Sequence, residues 1–249
     1  MQWLVPNAYF MRKLEIRHTH IENALTFLDH LHYMKSFIRS ALLSALFTSL
    51  VSSPAVAGFE EGIAAYQANN IPLAYKEFRS AAEKGHADSQ FNLGLMYEQG
   101  IGVSKDEKEA IVWYRKSAEQ GNVFAQYNLA VLYENGRGTE VDFTQANEWY
   151  RKASAQGDPL AIGNLGMLYL RGQGVKENKV AGVALLLLSA AMDSSPENNA
   201  KRNIAATRGL TTEMIVAAQS LSAELSSAEN LLTPLDQYLG KSANSTERE

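Results

Sequence analysis

The sequence contains no cysteine. That excludes disulfides, thiolate metal sites, cysteine nucleophiles and a lipid anchor on cysteine, so whatever holds the fold together is packing. Histidine is nearly as scarce. Four of the five, His18, His20, His30 and His32, lie in the first 33 residues, leaving His86 alone in the rest of the chain. A histidine-based triad or a His-Glu-x-x-His zinc helix has no material to work with there, and no Gly-x-Ser-x-Gly elbow is present. Concentrated positive charge is missing too. With 23 Lys plus Arg against 27 Asp plus Glu, a pI near 5.8 and no basic stripe, the chain lacks a nucleic-acid footprint. The apolar stretch from Ala41 to Val51 is shorter than the roughly 20 residues a membrane span needs.

That stretch has its own context. Met34-Lys35-Ser36-Phe37-Ile38-Arg39 precedes it and Ser52-Ser53-Pro54-Ala55-Val56-Ala57 follows it. A basic start, a short apolar centre and a small-x-small ending are the three parts of a secretory signal peptide, which predicts 34–57 as the signal with cleavage after Ala57. An uncleaved membrane anchor is the alternative. A signal works from the N-terminus, so Met34 is the expected start, and 1–33 reads as a non-native upstream extension. Its two His-x-His pairs, though built of metal-ligand residues, are then not read as a metal site. The mature chain, 58–249, carries 18 basic and 24 acidic residues, a net charge of −6, and is expected in the periplasm or secreted.

What is abundant is repetition. Leu93, Gly94, Tyr97, Gly100, Gly102, Ala110, Trp113, Tyr114 and Gly121 recur 36 residues later as Leu129, Ala130, Tyr133, Gly136, Gly138, Ala146, Trp149, Tyr150 and Gly157. Leu165, Gly166, Tyr169, Gly172, Gly174 and Gly182 follow at the same offset. A fixed period of this length is the signature of stacked units, none of which can bury its apolar face alone.

Within the unit 87–122, Ser89, Leu93, Met96 and Tyr97 fall on one helical face, as do Ala110, Trp113, Tyr114, Ser117 and Ala118 on a second helix. Gly100 ends the first helix in a left-handed cap. Asp106 starts the second, with Glu109 three residues on in a capping-box arrangement; Asp142 with Gln145, and Asn178, repeat that boundary. Gly94, Ala130 and Gly166 let the paired helices approach closely.

The units are 87–122, 123–158 and 159–194, preceded by an atypical opening unit, 58–86, whose interhelix loop is about four residues shorter. The unit 159–194 carries Leu185 and Leu186 in place of Trp and Tyr. A helix apolar on more than one side needs covering, and a helical cap over 195–240 supplies it: a short helix near Glu197–Ala206, a longer one from Thr212 to about Leu225, and a last short turn or helix within Leu231–Leu239. Residues 241–249 are polar enough to read as a disordered tail.

Ala/Ser-x-x-x-Leu-Gly-x-x-Tyr-x-x-Gly-x-Gly, then Asp, then Ala-x-x-Trp-Tyr-x-x-Ala and a closing Gly, resembles the Sel-like repeat (SEL-one-like, SLR), a relative of the tetratricopeptide repeat. The resemblance covers residues 58 to about 193. It implies an all-α fold: a right-handed α-solenoid of antiparallel helix pairs with a C-terminal helical cap. It also implies an adaptor that binds other proteins, commonly bacterial and exported, and no catalytic activity. The β-lactam binding linked to some cysteine-rich relatives does not carry over, because this chain lacks their cysteines and any Ser-x-x-Lys motif.

The Gly-x-Gly triplets at 100, 136 and 172 sit in no strand–loop–helix setting and are turns, not phosphate loops. No cofactor and no metal are expected. Candidate partner-binding residues are those flanking the buried face of each first helix: Asp88, Asn92, Leu95 and Gln99; Phe124, Asn128, Val131 and Asn135; Leu160, Asn164, Met167 and Arg171. The asparagine column 92, 128 and 164 holds an extended peptide by its backbone, or else satisfies neighbouring helix groups; of these the structural role is favoured. The less regular Leu95, Val131, Met167 and Phe124 are the better candidates for specificity. The expected function is a non-enzymatic scaffold of the bacterial cell envelope, monomeric when free, binding a protein or peptide in a concave groove. The alternatives are an accessory subunit of an envelope assembly for secretion, polysaccharide export or motility, and a secreted host-interaction factor.

Overall fold

The structure is a computed structural model that describes residues 54–195 and 198–246. The expected upstream extension, and the signal peptide up to Ser53, lie outside the described residues; residues 54–57 open the first described helix. Among the described residues there are eleven helices and no strand: α1 (Pro54–Gln67), α2 (Ile71–Glu83), α3 (Ala87–Gln99), α4 (Glu107–Glu119), α5 (Val123–Asn135), α6 (Phe143–Ala155), α7 (Pro159–Arg171), α8 (Lys179–Met192), α9 (Ala200–Ala206), α10 (Thr212–Ser227) and α11 (Leu232–Thr246). Each helix packs on its neighbour in sequence from α1 to α8, and α8 then takes α9 and α10. This is an all-α solenoid of antiparallel pairs.

The boundaries recur because the same local chemistry recurs. Asp106, Asp142 and Asn178 cap α4, α6 and α8, accepting from the backbone N–H groups of Lys108 and Glu109, of Gln145, and of Ala181. The expected capping box forms only by half. The backbone N–H of each cap donates instead to the carbonyl of Tyr97, Tyr133 or Tyr169 in the preceding helix, at 2.8, 2.9 and 2.9 Å. The return bond from the third helical residue therefore has no free donor to meet. The first helices are capped by His86, Asn122 and Asp158, so the lone histidine outside the N-terminal segment is a helix cap, its ring 4.8 Å from that of Phe59. Gly100, Gly136 and Gly172 end those helices at φ 74°, 64° and 63°, a left-handed conformation that glycine adopts without a Cβ penalty.

The core runs the length of the array through Leu93, Leu129 and Leu165 on the first helices and Ala110, Tyr114, Ala146 and Tyr150 on the second, all fully buried. Close approach within pairs is visible at Gly94, where an added Cβ would lie 2.7 Å from the Tyr114 ring, and at Gly166, where it would lie 2.8 Å from the Gly182 carbonyl oxygen. Trp149 is buried, whereas Trp113 is only half-buried; Lys152 and Lys116 lie over the two indoles at 3.7 and 3.9 Å.

Between units, side-chain amides, buried at Gln90 and Gln126 and exposed at Gln120 and Gln156, form a relay that the sequence reading did not anticipate. Gln120 donates to Gln90 Oε1 at 2.6 Å and Gln90 donates to the Ala82 carbonyl at 3.1 Å. One period on, Gln156 donates to Gln126 at 2.8 Å and Gln126 to the Ala118 carbonyl at 3.0 Å. The relay stops where Ile162 and Met192 take the equivalent positions.

At the C-terminal end Leu185 and Leu186 are fully buried, with α10 packed on α8 as the sequence required. Thr211 caps α10, accepting from Met214 N. The last helix is longer than expected, reaching Thr246 where the polar sequence from Lys241 suggested a tail. It folds back onto α6 and α8, burying Leu231 and Leu235, with Asp236 accepting from Arg151 at 2.7 Å and Ser242 accepting from Asn178 at 3.3 Å.

Candidate protein-binding face

The face is built from α3, α5 and α7, whose other side supplies the core leucines. Along each helix the candidates fall at successive turns and hence in one stripe. Asp88, Phe124 and Leu160 are half-buried, as are Asn92, Asn128 and Asn164 and then Leu95, Val131 and Met167; Gln99, Asn135 and Arg171 are exposed. The structure brings all twelve onto the first helices of three adjacent units.

Several have internal partners. Asp88 Oδ1 accepts from Asn122 Nδ2 at 2.9 Å, and the Asp88 carbonyl accepts from Asn92 at 2.7 Å. Asn128 is hydrogen-bonded to the Tyr114 hydroxyl, and Asn164 donates to the Tyr150 hydroxyl at 3.0 Å. Asn135 turns back to the Val131 carbonyl at 2.8 Å. Asn128 and Asn164 are thus engaged with the hydroxyls of buried tyrosines, and Asn92 with the backbone of its own helix. Phe124 lies 5.9 Å from Phe91, which itself lies 5.8 Å from Tyr114, so an aromatic row leads from the face into the core. Leu95, Val131 and Met167 have only apolar atoms to offer, and packing leaves each of them partly open.

The sequence reading missed the carboxylates behind this stripe. The Tyr114 hydroxyl donates to Glu98 Oε2 at 2.6 Å, and that of Tyr150 to Glu134 Oε2 at 2.6 Å. Glu98 and Glu134 stand one period apart, and a tyrosine assigned to a core carries a hydroxyl that must find a partner, so the signal was there. Burial above all, reinforced by the facing carboxylate, raises both hydroxyls well above their ordinary value. Glu107, by contrast, is held below the usual carboxylate range by its bonds to Arg137 and then Lys105.

These shifts move tyrosine and glutamate away from neutrality, the reverse of what general acid–base chemistry near pH 7 requires. Among the described residues no group of three or more His, Asp or Glu side chains is placed to hold a metal ion, and no helix is long and apolar enough to cross a membrane. What the arrangement offers is a firm backing of hydrogen-bonded side chains beneath half-open apolar groups.

Residues 87–122, 123–158 and 159–194 each match the Sel1 repeat family. The chain therefore carries three Sel1 repeats, a unit whose proteins generally serve as non-enzymatic scaffolds for protein interaction. Among solved structures it is similar to a Sel1 repeat protein from Oxalobacter formigenes, 28% identical, over 76% of this chain and 85% of that one with a TM-score of 0.57. It is also similar to c5321, described as a protective antigen of uropathogenic Escherichia coli strains displaying an SLR fold. There the identity is 26% over 75% of this chain and 48% of that one, with a TM-score of 0.44. No curated protein matches.

Proposed function

We propose that this protein is a non-enzymatic interaction scaffold of the bacterial cell envelope, which binds a segment of a partner protein along the stripe on α3, α5 and α7. The observation that carries the reading is the row Leu95, Val131 and Met167. These three apolar side chains, one per unit, are left half-open above a layer of hydrogen-bonded tyrosine, glutamate and asparagine side chains. An apolar row left open on a regular surface is typical of a binding site. The envelope location rests on the signal-like sequence 34–57, and the protein is monomeric when free.

The test is in-cell cross-linking of tagged protein expressed from Met34, with N-terminal sequencing of what is recovered. The expected result is a chain starting at Gly58 joined to one stoichiometric envelope partner, with recovery of that partner lost in Leu95→Glu and Met167→Glu. Co-fractionation with a large assembly irrespective of these substitutions points instead to a built-in structural subunit. An uncleaved chain overturns the location, and a clean monomer under every condition overturns the scaffold.

A further inference from the structure

The two tyrosine–glutamate pairs match in geometry and differ in what else reaches the carboxylate. In the unit 87–122, Glu98 accepts from Tyr114 on Oε2 and from Arg137 Nη1 on Oε1 at 2.9 Å. Arg137 comes from the interhelix loop of the following unit and also binds Glu107 Oε1, from Nε at 3.0 Å and Nη2 at 2.6 Å. In the unit 123–158, Glu134 accepts from Tyr150 on Oε2, and among the described residues no cation pairs with it.

The period supplies the reason. One unit on from Arg137 stands Gln173, and one unit on from Glu107 stands Phe143. The loops hold the same register: Gly138 and Gly174 have φ 70° and 67°, and an added Cβ would meet the backbone of Glu107 at 2.6 Å or of Phe143 at 2.4 Å. Gln173 therefore starts from the place that Arg137 starts from, but with a shorter and neutral side chain. Its buried carboxamide oxygen has no donor.

A half-used carboxylate, with an unpaired carbonyl oxygen in the register place of an arginine, is an acceptor set that lacks its cation. We infer that Glu134, with Gln173 and Phe143, receives the guanidinium of an arginine side chain from the bound protein segment. Arginine fits better than lysine because the preceding unit already shows this place filled by a guanidinium, whose planar fork reaches acceptors in two directions. Phe143, standing where Glu107 stands, offers a ring face for the guanidinium to lie on. Asn164 donates to the Tyr150 hydroxyl, which donates to Glu134, so the site lies two hydrogen bonds from the asparagine column. The inference rests on the reading of this stripe as a protein-binding face. It adds what the face selects: a segment with an arginine opposite the unit 123–158, and none opposite the unit 87–122, where Arg137 is already in place.

Two measurements test it. Gln173→Arg supplies the chain's own guanidinium and is expected to raise Tm by about 2–4 °C, the shift that about 1 kcal/mol produces in a chain of this size, with no rise in a Glu134→Gln background. An equal effect in both backgrounds overturns the inference, because the carboxylate is then not open to a guanidinium. In the second measurement a phage-displayed library of random peptides is selected on the full chain. Arginine is expected to be enriched among the binders, and an arginine-containing binder is expected to weaken about tenfold with either Glu134→Gln or Gln173→Arg. Binders without arginine preference overturn the inference and leave the protein-binding face standing. The absence of any binder overturns both.

Discussion

Gly94 and Gly166 occupy the same position two units apart, yet the two sites differ in what can yield. Beside Gly94 an added methyl group meets the side chain of Tyr114, and Ala130, the intervening residue of the column, already carries a methyl group and is fully buried. Beside Gly166 it meets backbone, and a methyl group added at Gly182 would in turn lie 2.7 Å from the Gly166 carbonyl oxygen. Gly166→Ala is therefore expected to cost about 1–3 kcal/mol, the range for overpacking a tight core, and Gly94→Ala distinctly less. Chemical denaturation of the two variants checks the order, and a neutral Gly166→Ala contradicts it. Tyr150 and Tyr114 make a second residue-scale prediction. In the unfolded chain their hydroxyls ionise near pH 10, whereas the fold keeps them protonated above it. Below pH 10 the contribution is intact. Above it the unfolded chain holds fewer protons, so stability falls as pH rises. The denaturation midpoint should hold steady to about pH 9 and drop beyond 10, less steeply in Tyr150→Phe; an identical slope in that variant would locate the loss elsewhere.

Helix ends and the returning helix α11 decide matters at the next scale. Removing the cap in Asp142→Ala is expected to cost about 1 kcal/mol. Truncating Leu235, a fully buried residue of α11, should cost about 2–5 kcal/mol. Its neighbour Asp236 is more than half exposed, so losing its pair with Arg151 in Asp236→Asn should cost under about 1 kcal/mol. Thermal melts of the two variants separate packing from the ion pair; equal losses would mean that the pair carries more than its exposure allows. The caps and the helix pairs were legible in the sequence because they are local chemistry repeated at a fixed offset. The length of α11 was not, since Lys241 and Ser242 read as polar tail while Tyr238 and Leu239 just before them pack against the core and Ser242 meets Asn178. The candidate stripe was legible by helical spacing alone. The Glu98–Arg137 contact was not, because it joins residues 39 positions apart across a unit boundary, and a motif read within one unit cannot see it.

In the whole molecule each unit leans on its neighbours, so a fault at one interface should travel according to where it lies. Gln90 and Gln126 occupy equivalent interfaces, the first near the end of the array and the second in its middle. Hydrogen exchange of Gln90→Ala is expected to show protection lost in α1 and α2 while α5–α8 keep theirs, whereas Gln126→Ala should lower protection on both sides of α5. A uniform loss in both variants would mean that the array opens as one body. One further consequence comes from the second loop glycine of each unit, which rests on the opening residue of the helix two before it: Gly138 on Glu107 and Gly174 on Phe143. Because that seat joins one copy to the next, a gene that duplicated the codons for 123–158 in frame would add a layer with every seat already made. An insertion of even one codon between Gly136 and Asp142 would unseat its neighbour, so such a gene can grow by whole copies far more readily than by single residues.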